Sequence, residues 1–160
     1  MGTIVALLGA LLLGLLALIG VFLAGMRAKW PPVVDAVRRL NMRVLNPRQM
    51  ATAGQPGAFA QILRHTGRTS GRTFETPLGI EPTDDGFVIA LVYGNDTQWL
   101  RNVLTAGRAE VVRDDVCYEV ERPEVVSVED VIGFFKPSDR RLFGLFGVEK
   151  CLRLYHAAHD

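Results

Sequence analysis

A small, largely antiparallel β-barrel with peripheral helices, carried behind one N-terminal transmembrane helix, is the architecture the sequence predicts. Three observations lead there. An uncharged apolar run fills residues 3–26; about five short β-branched segments follow, parted by Gly, Pro and Asp turns; and the helical patterns between them are short. At 160 residues the chain has room for one domain with a real core. It divides into a transmembrane anchor (1–29), a juxtamembrane helix and linker (30–57) and a barrel domain (58–160).

The run from Thr3 to Met26 holds no charged residue in 24 positions. At about 1.5 Å per residue it reaches roughly 36 Å, enough to cross a hydrocarbon core of about 30 Å. A cleavable signal peptide is the rival, but no basic stretch precedes the run and the run exceeds an ordinary signal core. Arg27, Lys29, Arg38, Arg39 and Arg43 all follow it, which orients the remaining chain to the cytoplasm as a single-pass protein of the cell membrane. Ala6, Ala10 and Gly14 recur at every fourth position and could pack against a second copy in a homodimer. Trp30 sits where an interfacial aromatic belongs.

Pro31-Pro32 ends the span and opens a helix whose apolar positions are Val33, Val34, Val37, Leu40 and Val44. Asn46-Pro47 and Gly54-Gln-Pro-Gly57 read as loop. Ala58–His65 and Thr73–Ile80 read as a hairpin, and Phe87–Tyr93 as a buried strand. Asp96 or Thr97 can cap a helix to about Thr105. Ala109–Arg113 and Val116–Arg122 read as two more strands, and Ser127 with Asp130 as a capping box for a helix to Phe135. Pro137-Ser138 opens a last helix; the pattern of Val148–Tyr155 fits either state.

Charge is unevenly placed. From Arg27 to Arg72 nine Lys/Arg face Asp35 alone, a net of +8, whereas the chain from Thr73 onward carries −7. This asymmetry points to an anionic partner, either lipid head groups or a ligand, on the N-terminal side. Nothing suggests nucleic acid. Cys117 and Cys151 make neither a metal spacing nor a disulfide framework, and His65, His156 and His159 show no metal spacing and no catalytic pattern.

Chemistry concentrates in three stretches. Gly67-Arg68-Thr69-Ser70-Gly71-Arg72 is a polar turn that can cradle an anion with backbone N–H groups and guanidinium charge. It reads equally well as a Gly-rich hairpin turn with two solvated arginines. Thr76-Pro77-Leu78 follows, with Pro77 also consistent with a strand edge. The third is Tyr93-Gly94-Asn-Asp-Thr-Gln-Trp99-Leu-Arg-Asn102-Val-Leu104. Trp99, Leu100, Val103 and Leu104 could be simply the buried face of a helix, whereas Asn102 among apolar neighbours calls for a specific partner.

In this order and at this spacing, the three stretches resemble the deazaflavin-dependent nitroreductase family, over roughly Arg43 to Leu154. The resemblance implies a mainly β fold, the split β-barrel; a reduced 8-hydroxy-5-deazaflavin coenzyme (coenzyme F-420, with FMN as the alternative); and hydride transfer to a quinone, nitro compound or similar lipophilic acceptor. Carried over residue by residue, Arg68, Thr69, Ser70, Gly71 and Arg72 would hold the coenzyme phosphate. Thr76, Pro77 and Leu78 would line its ring, Tyr93 and Gly94 would sit beside the ring or its linker, and Trp99 and Asn102 would buttress the phosphate end. Many members have a second basic residue where this chain has Thr69, and some have another where it has Phe74; Arg72 stands near enough to compensate. An acceptor needing a proton could draw on Tyr93, Tyr155 or water. The other readings are a non-catalytic lipid- or fatty-acid-binding protein and an FMN- or haem-binding protein on the same barrel. Residues 3–26 would supply the membrane contact in every case.

Overall fold

The computed structural model describes residues 2–158; His159 lies outside them. Helix α1 (Gly2–Arg27) runs 26 residues and is long and apolar enough to cross a membrane. Its side chains are exposed until the last two turns, where Leu23 is half-buried and Met26 buried. There α1 docks on the remaining chain. Phe22 meets Phe146 edge-on at 6.4 Å, Arg27 Nη1 donates to the Gly144 carbonyl at 2.5 Å, and Lys29 Nζ donates to the Val92 and Phe146 carbonyls at 2.9 and 3.0 Å.

After the turn at Lys29, helix α2 (Pro31–Leu40) begins on Pro31-Pro32 as expected. The loop expected at Asn46-Pro47 is instead helical. A π-helical turn, Asn41–Leu45, leads into α3 (Asn46–Met50). Proline lacks an N–H and crowds the carbonyl four residues back, so a widened turn before Pro47 lets the helix continue. The loop starts only at about Ala51.

Seven strands follow, two more than the sequence suggested: β1 (Gln61–Thr66), β2 (Thr73–Leu78), β3 (Ile80–Thr83), β4 (Gly86–Ala90), β5 (Arg108–Arg113), β6 (Val116–Ser127) and β7 (Lys150–His156). They form one antiparallel sheet in the order β2-β1-β5-β6-β7-β4-β3. The segment read as a single strand, Thr73–Ile80, is broken at Gly79, so that β2 and β3 lie at opposite edges of the sheet. Leu78 and Ile80 are only two Cα–Cα steps apart, about 3.8 Å each. The sheet must therefore curl until its two edges meet at Gly79, and it stays open beyond that point. This is a split barrel.

Alternation along β4 explains its wholly apolar sequence. Phe87 and Ile89 belong to the barrel interior with Leu63, Leu100, Val111 and Leu152, while Val88 faces outward to Val131, Phe135, Phe143 and Val148. Both faces are covered, so both are apolar. At Gly86 a Cβ would overlap the Leu154 carbonyl, so the strand crossing there admits only glycine.

Among the helices, α4 (Gln98–Ala106) starts at Thr97, whose hydroxyl makes no capping bond. It buries Leu100 and Val103, but Leu104 is 42% exposed, contrary to the buried-face reading. The capping box at Ser127 does not form. Strand β6 runs through to Ser127 past a bulge between Glu121 and Glu124, and only α5 (Val128–Val131) with a short 3₁₀ turn follows. Helix α6 (Pro137–Phe146) packs outside the barrel, between it and α1.

Candidate functional site

One groove of about 1080 Å³ runs along the barrel's open side, between β2, the loop after β4, the start of α4 and helix α6. The segment after Ala90 leaves the sheet before the expected strand end at Tyr93, and so turns Val92, Tyr93 and Gly94 into groove wall. From the turn after β1 come Arg68, Thr69 and Ser70; from β2, Thr76, Pro77 and Leu78; from α4, Trp99 and Asn102. Ten of the twelve residues singled out in the sequence thus share one cavity. Gly71 and Arg72 do not. Gly71 takes a left-handed conformation (φ 64°) that closes the turn, and Arg72 is exposed and does not line the groove. Gly67 is a packing residue. A Cβ there would strike the Phe74 ring and Ser70 Oγ, so the space is already filled by the protein.

The polar end is built from α4 upward. Asn102, 7% exposed, accepts at Oδ1 from the Arg68 backbone N–H (3.2 Å) and from Arg68 Nη1 (3.0 Å). Gln98, one helical turn earlier, accepts from the same Nη1 at 2.9 Å. The other side of Asn102 meets His65 Nδ1 at 3.2 Å, and His65 Nε2 lies 3.1 Å from Thr76 Oγ1. His65 is 5% exposed and stacks on Phe74, with ring centroids 5.9 Å apart. Burial holds its pKa below the ordinary histidine value. Sequence reasoning passed over His65 because its partners, Thr76 and Asn102, lie 11 and 37 residues away.

The helical segment after α1 supplies the second overlooked part. Arg38 Nη2 donates to the Tyr93 carbonyl at 2.7 Å, and Asn41 hydrogen-bonds the Tyr93 hydroxyl. Burial raises the Tyr93 pKa, so the phenol stays protonated at neutral pH. Tyr155 is elsewhere, donating to Glu124 at 3.0 Å, and does not line the groove.

Few of the cations of the N-terminal half reach the groove. Of the nine cations between Arg27 and Arg72, only Arg38 and Arg68 line the groove. Arg64 is engaged by Glu75 and Glu110 at 3.0 and 2.6 Å. The groove also carries Lys136 and four carboxylates, Glu75, Glu81, Asp96 and Asp139. The groove therefore sets three cations on three different segments, Arg38, Arg68 and Lys136, against four carboxylates.

The residues present fit a planar group with an anionic tail. Arg68 and the backbone N–H groups of Thr69 and Ser70, which have no partner among the described residues, offer an anion donors at one end. Pro77, Leu78 and Trp99 offer flat apolar walls beyond it. Thr97 Oγ1 and Arg38 Nε, on two residues that line the groove, are buried without a hydrogen-bond partner, as expected where a ligand completes the set. No group of three or more His, Cys, Asp or Glu side chains comes together to hold a metal among the described residues.

No family model and no curated protein matches the chain. Among solved structures, a domain-swapped dimer matches at 15% identity and a TM-score of 0.50 over 76% of this chain and 98% of its own. HutZ, a haem storage protein from Vibrio cholerae, matches at 10% identity and 0.48, over 71% of this chain and 90% of its own. Atu2129 from Agrobacterium tumefaciens, of unknown function, matches at 18% and 0.44, over 62% of this chain and 49% of its own. Together with the seven-stranded sheet and its meeting edges, the first of these likenesses establishes the fold: a mainly β split barrel with peripheral helices.

Proposed function

We propose that the chain is a membrane-anchored oxidoreductase that passes a hydride from reduced coenzyme F-420 to a quinone, nitro compound or similar lipophilic acceptor. The observation that carries this reading is the convergence of residues 68–70, 76–78, 93–94, 99 and 102 on one groove. When bound, the coenzyme supplies the hydride; the chain's own residues bind and orient. Arg68 with the Thr69 and Ser70 N–H groups holds the phosphate, Thr76, Pro77 and Leu78 flank the ring, and Trp99 and Asn102 support the turn. The Tyr93 hydroxyl, held by Asn41, can keep or give a proton at its oxygen.

Two features favour a lipophilic acceptor. The groove is edged by exposed apolar side chains, Phe59 (84%), Met42 (61%) and Leu142 (46%). Helix α6 carries Leu142, Phe143 and Phe146 into the groove wall, and Phe146 also packs on Phe22 of α1, so the wall is tied to the membrane helix. The proposed site is the cell membrane, with the barrel on the cytoplasmic side. A homodimer through Ala6, Ala10 and Gly14 fits the same reading, and one like structure is described as a domain-swapped dimer.

Titration of the full-length protein in detergent with coenzyme F-420 tests the proposal. Saturable binding in the micromolar range is the expected result, and no binding overturns it. A second reading, a carrier of lipid or fatty acid, is favoured by the breadth of the apolar wall and by how few N-terminal cations reach it. It predicts an acyl ligand on mass spectrometry of the extracted protein, with no coenzyme-dependent turnover. An FMN- or haem-binding protein would show itself in the visible spectrum.

A further inference from the structure

We infer that His65 is a positioning residue that makes the Thr76 hydroxyl a hydrogen-bond donor to the groove, so that the ligand seated there presents an acceptor at its ring edge.

Four hydrogen bonds fix the polarity of the chain from Arg68 to Thr76. Arg68 can only donate, and its backbone N–H and its Nη1 both point at one terminal atom of Asn102, at 3.2 and 3.0 Å. That atom is therefore the amide oxygen. The amide nitrogen then faces His65 Nδ1 at 3.2 Å. An amide NH₂ only donates, so Nδ1 accepts and carries no proton. The imidazole proton sits on Nε2, 3.1 Å from Thr76 Oγ1, and the threonine oxygen accepts it. Thr76 keeps its own O–H, for which no protein acceptor exists among the described residues, and Thr76 lines the groove. A ligand there receives the proton.

Burial and packing hold the arrangement in place. His65 is 5% exposed under the Phe74 ring. A second proton on Nδ1 would oppose the Asn102 NH₂, donor against donor. The relay also survives an anion at the turn: if Arg68 Nη1 swings to a phosphate, the Arg68 backbone N–H still holds the Asn102 oxygen.

This inference rests on the proposed reading of the groove as a coenzyme site and narrows the ligand within it. Flavins and deazaflavins carry imide carbonyls and ring nitrogens at the ring edge. A porphyrin edge and an acyl chain offer no neutral acceptor of that kind.

The first test needs no ligand. In full-length protein with ¹⁵N-labelled histidine, in detergent at neutral pH, the imidazole signals absent from His65→Phe report the His65 tautomer. Neutral Nε2–H is expected; Nδ1–H or an imidazolium overturns the inference. The second is a coenzyme F-420 and FMN titration of variants. Thr76→Val and His65→Phe should each weaken binding roughly threefold to tenfold, the scale of one neutral hydrogen bond, and the double variant should lose no more than either. Thr76→Ser keeps wild-type affinity, and His65→Gln, which can still donate to Thr76, recovers part of the loss. Wild-type affinity in Thr76→Val, or losses that add, overturns the inference. Should the wild type bind neither probe, the functional reading falls, and the tautomer alone decides the role of His65.

Discussion

Helix α1 and the barrel interior are written in nearly the same letters. Leu11 and Leu13 of α1 are each 70% exposed, whereas Leu63, Leu100, Leu152 and Leu154 of the barrel are fully buried. In the barrel, apolar residues alternate with polar ones or sit in a strand covered on both faces, and the protein itself removes them from water. In α1 they occur all round the helix, and among the described residues the protein covers only the last two turns. The proposed occupant of the remaining surface is lipid. The same side chain therefore has two different jobs, and its surroundings rather than its type decide the effect of changing it. Pairs of like residues in unlike places test this.

The largest contrast is expected between leucines. Leu152→Ala opens a cavity in the barrel and should cost about 2–5 kcal/mol, whereas Leu11→Ala should leave barrel unfolding unchanged. Chemical unfolding of the full chain in detergent, followed by Trp99 fluorescence in a Trp30→Phe background, compares them; equal losses would mean that α1 packs into the barrel core.

Next come two arginines of one turn. Arg68 donates to Asn102 and Gln98 at the groove, while Arg72 lies outside it. Arg68→Ala should weaken coenzyme binding by about 1.5–3 kcal/mol, the scale of a charge-assisted hydrogen bond. Arg72→Ala should weaken it far less, by screened long-range attraction alone. Calorimetric titration separates them, and equal effects would return Arg72 to the site.

A smaller effect is expected from His65. Its folded pKa is lowered by burial, so below about pH 6.5 the unfolded chain binds a proton that the folded one excludes. Stability present above that pH is then lost as pH falls toward the depressed folded value. Unfolding free energies at about pH 7.5 and pH 5.5 measure the loss, which should be shallower in His65→Phe. An unchanged slope would mean that His65 does not titrate with unfolding.

The smallest is between cysteines. Cys117 is exposed, while Cys151 is fully buried and its thiol is pushed up to about 12 by burial. Iodoacetamide at mildly alkaline pH should label Cys117 in the folded protein and leave Cys151 unlabelled until unfolding, as read by intact mass.

Much of this molecule was legible residue by residue. Continuous apolarity marked α1, β-branched runs marked β4, β5 and the first half of β6, and glycine with charge marked the turn at 67–71. What misled was local chemistry overruled by packing. Pro47 reads as a helix end, yet a π-helical turn absorbs it. Ser127 reads as a cap, yet β6 pairs with β7 right up to it.

Propensity, period and turn chemistry act over a few residues, and so the long apolar helix, the mainly β character and the three groove motifs could be read directly from the chain. Long-range pairing acts over dozens. That β2 and β3, neighbours across Gly79, become opposite edges of one sheet depends on five intervening strands finding their partners. The direction of the hydrogen bonds from Arg68 through Asn102 and His65 to Thr76 depends on α4 folding back over β1 and β2. No local preference encodes either, because each is set by which groups meet in space.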